Sequence, residues 1–269
     1  MSNYSSGFFS SLQHNFRLIL RMISREITGR YRGSFLGLLW SFVTPVLMLA
    51  IYTFVFSFVF KARWGQEHTD QYEFALVLFT GLIVYNLFSE CIARAPSLIL
   101  SNVNYVKKVI FPLEILPWVS LGSALFHAMT SFFVLLFFLL LNGHHFSYTI
   151  LWLPVIVLPF LLLIMGLSWF LAATGVFVRD ISQVITMGLT VLLFMSPIFY
   201  PLTALPEAIR PYLFLNPITL IVEQVRAILI WGVQPNWVNM GYYSLVSIFT
   251  AWLGWAWFKK TRRGFADVL

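Results

Sequence analysis

Charge and cysteine are what this chain has least of. Only 10% of its 269 residues are charged, and Cys91 is its single cysteine. One cysteine forbids an intrachain disulfide and leaves no set of thiolates for a metal cluster. A soluble domain carries roughly a quarter charged residues, so this chain cannot cover a water-facing surface. Asp70, Asp180 and Asp267 are the aspartates and all lie outside the apolar runs, which argues against an aspartyl mechanism at membrane depth. The five lysines follow Phe60, Val106, Lys107, Phe258 and Lys259. A phosphate-binding loop needs lysine directly after glycine, so no such nucleotide site is expected. His144 and His145 are adjacent, and Glu67-His68 has no second histidine at helical spacing, so no metal site is expected either. Gly166-Leu167-Ser168-Trp169 lacks the closing glycine of a serine-nucleophile elbow. No small-residue cleavage site follows the first apolar run, so a retained span is expected from Leu36.

What fills the chain is apolar: 59% hydrophobic and 18% aromatic residues. About 20 mostly apolar residues cross a hydrocarbon core of about 30 Å, and the runs of that length predict an all-α integral membrane protein with six spans. They lie at about 36–60, 74–93, 116–141, 150–178, from 184 to about 201, and 240–258. Pro197 and Pro201 shorten the fifth. Glu90 and Arg94 stand one turn apart at the end of the second and are placed to pair. Asn142-Gly143 closes the third with a turn. Ile218 to Trp231 reads as a helix interrupted by Glu223 and Arg226; its length, below the spanning minimum, marks a non-spanning, re-entrant or interfacial piece. Ahead of the spans, residues 8–32 carry Phe9, Leu12, Phe16, Ile19, Ile23 and Ile27 on one helical face and Arg17, Arg21, Arg25 and Arg32 on another. That pattern predicts an amphipathic helix in the headgroup plane. One membrane domain covers 1–269, with 1–35 as the interfacial helix, 36–258 as the spans and 259–269 as a tail.

The net charge of +7 is explained by topology and needs no nucleic acid. Thirteen basic residues fall in segments on the side of the termini (Arg17, Arg21, Arg25, Arg30, Arg32, Arg94, Lys107, Lys108, Arg179, Lys259, Lys260, Arg262 and Arg263). Four fall on the other side (Lys61, Arg63, Arg210 and Arg226). The positive-inside rule then places both termini in the cytoplasm and the chain in the inner (plasma) membrane. Glu90, Glu114 and Glu223 all sit near span ends, so no midplane carboxylate suggests ion-coupled transport.

Three segments, in order, resemble the permease of an ABC transporter of the type-2 exporter class, in the branch that exports O-antigen and related polysaccharides. The first is Tyr31-Arg32-Gly33-Ser34-Phe35-Leu36-Gly37-Leu38-Leu39-Trp40 with Pro45. The second runs Asn104-Tyr105-Val106-Lys107-Lys108-Val109-Ile110-Phe111-Pro112 through Pro117. The third joins Ser196-Pro197-Ile198-Phe199-Tyr200-Pro201 to Leu215-Asn216-Pro217 and Glu223-Gln224-Val225-Arg226. The resemblance implies a homodimer around a central channel, short outer gate helices, and two ATP-binding cassette subunits that bind ATP and magnesium, with no cofactor in this chain and no enzyme activity of its own. It also implies a lipid-linked glycan as substrate, with membrane lipid as the other partner. Teichoic acid, capsule polymer or a hydrophobic drug on the same scaffold remain alternatives, as does a membrane enzyme acting on polyprenyl-linked sugar.

Candidate residues follow from that reading. Sugar C–H faces stack on aromatic rings, which nominates Trp40, Tyr52, Phe56, Phe199 and Tyr200 as channel lining, against an interfacial belt or lipid contact. Arg25, Arg30 and Arg32 are candidates for a lipid pyrophosphate at the entrance, since guanidinium groups bind phosphate bidentately; headgroup anchoring explains them as well. Ala95, Pro96, Asn102, Asn104, Arg179 and Asp180 lie in short polar segments a partner ATPase could push. Pro206, Arg210, Tyr212, Glu223 and Arg226 are candidates for the outer gate.

Overall fold

Long apolar runs form the long helices, and prolines and glycines set most of their limits. A computed structural model describes residues 8–60, 64, 71–106, 111–144 and 146–269. Lys61, Arg63, Glu67, His68, Asp70, Lys107, Lys108 and His145 lie outside the described residues. The described residues are helical with no strand: α1 (Phe8–Tyr31), α2 (Trp40–Tyr52), α3 (Gln71–Arg94), α4 (Val103–Val106), α5 (Leu116–Leu141), α6 (Leu153–Phe177), α7 (Ile181–Met195), α8 (Arg210–Leu213), α9 (Thr219–Leu229), α10 (Trp237–Thr261) and α11 (Phe265–Val268).

Four helical stretches are long and apolar enough to cross a membrane: Gly37–Val59, Glu73–Ser97, Leu113–Leu141 and Tyr148–Phe177. They match the first four expected spans. The fifth expected span is α7, which has 15 residues and at 1.5 Å per residue reaches about 22 Å. It stops where expected: Ser196 before Pro197 turns extended (ψ 147°), because a residue preceding proline is driven out of the helical region. The sixth is α10, 25 residues long but carrying Asn239, Ser244, Ser247, two tyrosines and four tryptophans along it, with Lys259 and Lys260 in its last turn. The expected turn after α5 is present: Gly143 adopts φ +72° and donates to Leu140 O, while His144 donates to Leu139 O, the paired bonds of a Schellman glycine cap.

The first span is interrupted as a helix. Pro45 lies inside α2, and Thr53–Val59 winds as a π-helical continuation. Little of Gly37–Val59 is buried, only Ser41, Pro45, Leu49 and Ser57 being fully covered. By contrast α3 is the central strut, buried along most of its length and packed on α5, α6, α7 and α9. α6 and α10 cross at backbone contact: a Cβ at Gly254 would lie 1.9 Å from Gly166 O, and one at Gly166 would lie 2.5 Å from Thr250 O. Small residues are what membrane helices use for such approaches.

α1 lies on α5 through Ile19, Met22 and Ile23, the last filling the space a Cβ would take at Gly122. Ile19 and Ile23 belong to the apolar stripe expected of residues 8–32, and Phe16, of the same stripe, is half exposed; the side chains of Phe9 and Leu12 lie outside the described residues.

Candidate functional site: an arginine clasp and a charge cluster at opposite ends of the bundle

Arg226 is the organising residue at one end of the bundle. Its position on α9 faces α3, and its side chain is fully buried. Nε donates to Val77 O (3.0 Å) on α3, Nη1 to Pro197 O (2.5 Å) and Glu223 Oε1 (3.2 Å), and Nη2 to Ile198 O (3.1 Å). The guanidinium carbon lies 4.4 Å from the centroid of the Trp64 ring, a cation–π contact. Gly81 makes room: a Cβ there would stand 2.7 Å from Nη2. Burial pushes the Arg226 pKa down to about 10, with Glu223 opposing, so the group stays charged at neutral pH. Burial also raises the Glu223 carboxyl, with Arg226 opposing. The result ties α9, the chain after α7, and α3 into one clasp. α9 has 11 residues, about 16 Å at 1.5 Å per residue, so it cannot span a bilayer. This agrees with the non-spanning reading of Ile218 to Trp231.

The other gate candidates sit apart from the clasp. Arg210 donates to Leu205 O and Thr203 O and stands 4.0 Å from Glu207. Tyr212 is exposed, and Pro206 heads the turn bonded to Ile209 N. The chain between α7 and α9 is held by Asn216, whose amide donates to Ser196 Oγ (2.8 Å) and whose oxygen accepts from Ile218 N (2.9 Å).

Beside the clasp the aromatic candidates meet. Phe56 stacks on Phe74 at 5.5 Å and lies 6.2 Å from Phe199, which stacks on Phe194 at 5.9 Å. Tyr200 donates to Phe194 O (3.1 Å). Tyr52 is half-buried, one turn before Phe56 on the same helical stretch. Trp40 is at the far end of α2 and does not join them.

At the opposite end the charges pair across helices. Glu90 does not pair with Arg94. It holds Arg30 at 2.5 Å and lies 3.2 Å from His127 Nδ1, while Arg94 pairs with Glu26 at 2.6 Å. The reason is that α1 runs beside α3 and α5 and offers an arginine and a glutamate to residues that α3 could pair only along its own surface. Arg25 donates to the Tyr105 hydroxyl (2.8 Å), and Arg32 is exposed. The three entrance arginines are thus not gathered into one cluster.

Ala95 and Pro96 are buried, packed under α6 where a Cβ at Gly175 would lie 2.0 Å from Pro96 O. The turn Ala95–Ser97 also touches α7. Asn102 donates to Leu98 O (2.9 Å), while Asn104, Arg179 and Asp180 are exposed at the same end. Buried Ala95 and Pro96 can pass on a displacement but cannot be touched, whereas the exposed residues can.

Sequence reading missed His127, Gly81, Trp64 and Asn86. A histidine and an asparagine inside apolar runs are the signal that would have found two of them. Gly81 and Trp64 acquire meaning only through Arg226, a residue far away in the chain.

A family profile described as ABC-2 type transporter matches residues 17–230. An O-antigen export system permease protein RfbA from Myxococcus xanthus is 28% identical over 252 residues, covering 93% of this chain and 94% of that protein. Two proteins of the same name from Klebsiella pneumoniae are 25% and 24% identical over 263 and 261 residues, each covering 96% of this chain and 97% of the relative.

Proposed function

As the chain belongs to the ABC-2 type transporter family, we propose that it is the membrane subunit of an ATP-driven exporter of a lipid-linked polysaccharide. The relatives named as O-antigen export permeases align with it almost end to end, which supports that substrate class. The observation that carries the reading is the surface of α7. Gln183, Thr186 and Thr190, at helical spacing, are exposed, and Leu189 is the helix's only buried residue. Thr186 and Thr190 donate to carbonyls one turn back, at 2.9 and 3.2 Å, and so present oxygen lone pairs outward. The face is shared with exposed Met187 and Phe194, and such a mixed, uncharged stripe with outward oxygens suits the wall of a wet channel passing neutral sugars, which present both hydroxyls and C–H faces.

A channel needs a second wall, supplied in this reading by a second copy, with α7 and the exposed α2 of each subunit facing the axis. In this reading the chain crosses six times, so both termini share one side, and the excess of basic residues there makes that side the cytoplasm of a cell whose inner membrane holds the assembly. Two ATP-binding subunits dock on Asn104, Arg179 and Asp180. Their push reaches Ala95–Ser97 and, through α3, the Arg226 clasp. Tyr52, Phe56, Phe199 and Tyr200 flank the outer end of the path.

Deletion of the gene, followed by surface polysaccharide staining and extraction of lipid-linked glycan, tests the proposal. The expected result is loss from the surface with accumulation inside, restored by the wild-type chain. Surface polysaccharide unchanged by the deletion would refute it.

A further inference from the structure

An open cavity of about 570 Å³ lies between the last turn of α1, α2, α3, α5 and α7, and neither the clasp nor the coupling turn uses it. Its volume falls within the range of about 300–1,000 Å³ typical of small-molecule sites. Its charges cancel. Arg30, the entrance candidate for pyrophosphate, already faces Glu90 at 2.5 Å, and His127 Nδ1 lies within 3.3 Å of both groups. A dianionic phosphate group would find no unmatched cation there.

What the cavity offers instead is uncharged. Asn86 is exposed on α3 between buried Tyr85 and Leu87, and among the described residues its amide makes no side-chain hydrogen bond. The Thr44 hydroxyl on α2 is free in the same sense. An amide and a hydroxyl facing hydrocarbon would go unsatisfied, so their place on a cavity wall points to a polar occupant. Ser41 and Ser131 donate to Leu38 O and His127 O, at 2.8 and 2.9 Å, which leaves their oxygens as acceptors. Ile83, Leu87, Ala124 and Ala128 supply an apolar patch. Donors and acceptors of both kinds, no net charge and an apolar floor are what a sugar ring presents in complement.

We propose that this cavity binds one uncharged sugar unit of the exported glycan, hydrogen-bonded by Asn86 and Thr44 and backed by the fixed Arg30–Glu90–His127 cluster. The proposal rests on the polysaccharide reading above and adds that the permease recognises the sugar itself, and not only its lipid carrier.

The test uses the full permease with its ATPase partner in lipid nanodiscs. The probes are polyprenyl pyrophosphate, bare or bearing one N-acetylglucosamine, glucose or galactose, with phosphatidylglycerol in the disc as a competing polyol headgroup. At least one sugar-bearing carrier should bind more tightly than the bare one. Asn86→Ala and Thr44→Val, both at exposed positions and checked by thermal melting, should each weaken that carrier about two- to tenfold, the worth of one net hydrogen bond, and leave the bare carrier unchanged. No preference for any of the three sugars, or competition by phosphatidylglycerol, overturns the proposal. So do wild-type binding by both variants and equal loss for bare and sugar-bearing carriers. If gene deletion removes surface polysaccharide while these binding results are negative, only the cavity assignment falls; if deletion leaves it in place, the polysaccharide reading falls first.

Discussion

Gly81→Ala is the smallest change that should open the outer clasp. The new methyl carbon would sit 2.7 Å from Arg226 Nη2, and 3.4 Å from Val222 Cγ1. The guanidinium is planar, so moving Nη2 also moves Nε and Nη1. At risk are the bonds to Ile198 O (3.1 Å) and Val77 O (3.0 Å). Hydrogen bonds to a charged group are worth about 1.5–3 kcal/mol each. Against this, alanine gains about 1 kcal/mol over glycine inside a helix. Loss of one to two bonds therefore outweighs the propensity gain, with a net destabilisation of about 2 kcal/mol. Arg226→Met, which strands three carbonyls and a carboxylate, should cost more, about 3–5 kcal/mol by analogy with broken buried pairs. The decisive measurement is the double-mutant cycle, read by denaturant unfolding of the purified protein. In the Arg226→Met background the Gly81 methyl has vacated space, so Gly81→Ala should become neutral or stabilising. Equal destabilisation by Gly81→Ala in both backgrounds would refute the clasp.

Other expectations follow from contacts elsewhere. Gly254→Ala places a Cβ 1.9 Å from Gly166 O and should cost at least about 1–3 kcal/mol as overpacking; Gly241→Ala, with nothing within 4 Å, is the control, and equal melting temperatures for the two would count against the α6–α10 crossing. The Glu223 carboxyl is raised by burial with Arg226 opposing, so the folded state holds that proton longer than the unfolded one. Its contribution is present below the unfolded pKa and lost as pH rises through the folded pKa. Wild type should thus lose melting temperature relative to Glu223→Gln as pH rises above the ordinary Glu value of about 4, and a difference that stays constant as pH rises would reject the burial argument. Reporter fusions at Gly143 and Leu269 should report opposite sides of the membrane, and identical localisation would break the six-span topology.

Helix limits were legible because they depend on local chemistry. Pro197 ended α7 through Ser196, Gly143 capped α5, and the long apolar runs gave the four clear spans. Pairings were less legible because they depend on which helices become neighbours. Glu90 and Arg94 satisfy the one-turn spacing, yet each found a partner on α1. In the sequence Arg226 stood out as a charge inside a helix too short to span and as a gate candidate, with no sign of its partners. That it is sheathed by Trp64, Gly81 and three carbonyls required α3, α9 and the end of α7 to converge. The entrance arginines illustrate the same limit: positive-inside bias predicts their presence on one side, but it cannot tell that Arg30 is matched by Glu90 and Arg25 bonded to Tyr105.

The two ends of the molecule differ in how they can move. α3 carries the clasp carbonyl of Val77 near its start and runs directly into the Ala95–Ser97 turn, whose Ala95 and Pro96 are buried. Seventeen residues of regular helix, about 26 Å at 1.5 Å per residue, separate Val77 from Arg94, with packing on most sides and no proline between them. Such a helix transmits an axial push because bending it would break backbone bonds it has no alternative way to satisfy. α2 is built the other way. Pro45 removes a backbone donor, the π-helical stretch Thr53–Val59 is a poorer hydrogen-bonding geometry, and most of its surface is uncovered. If, as proposed, force from an ATPase enters at Ala95–Ser97, α3 would deliver it to Arg226 with little loss, while α2, touching α3 and α5, would be the element that yields in the proposed channel.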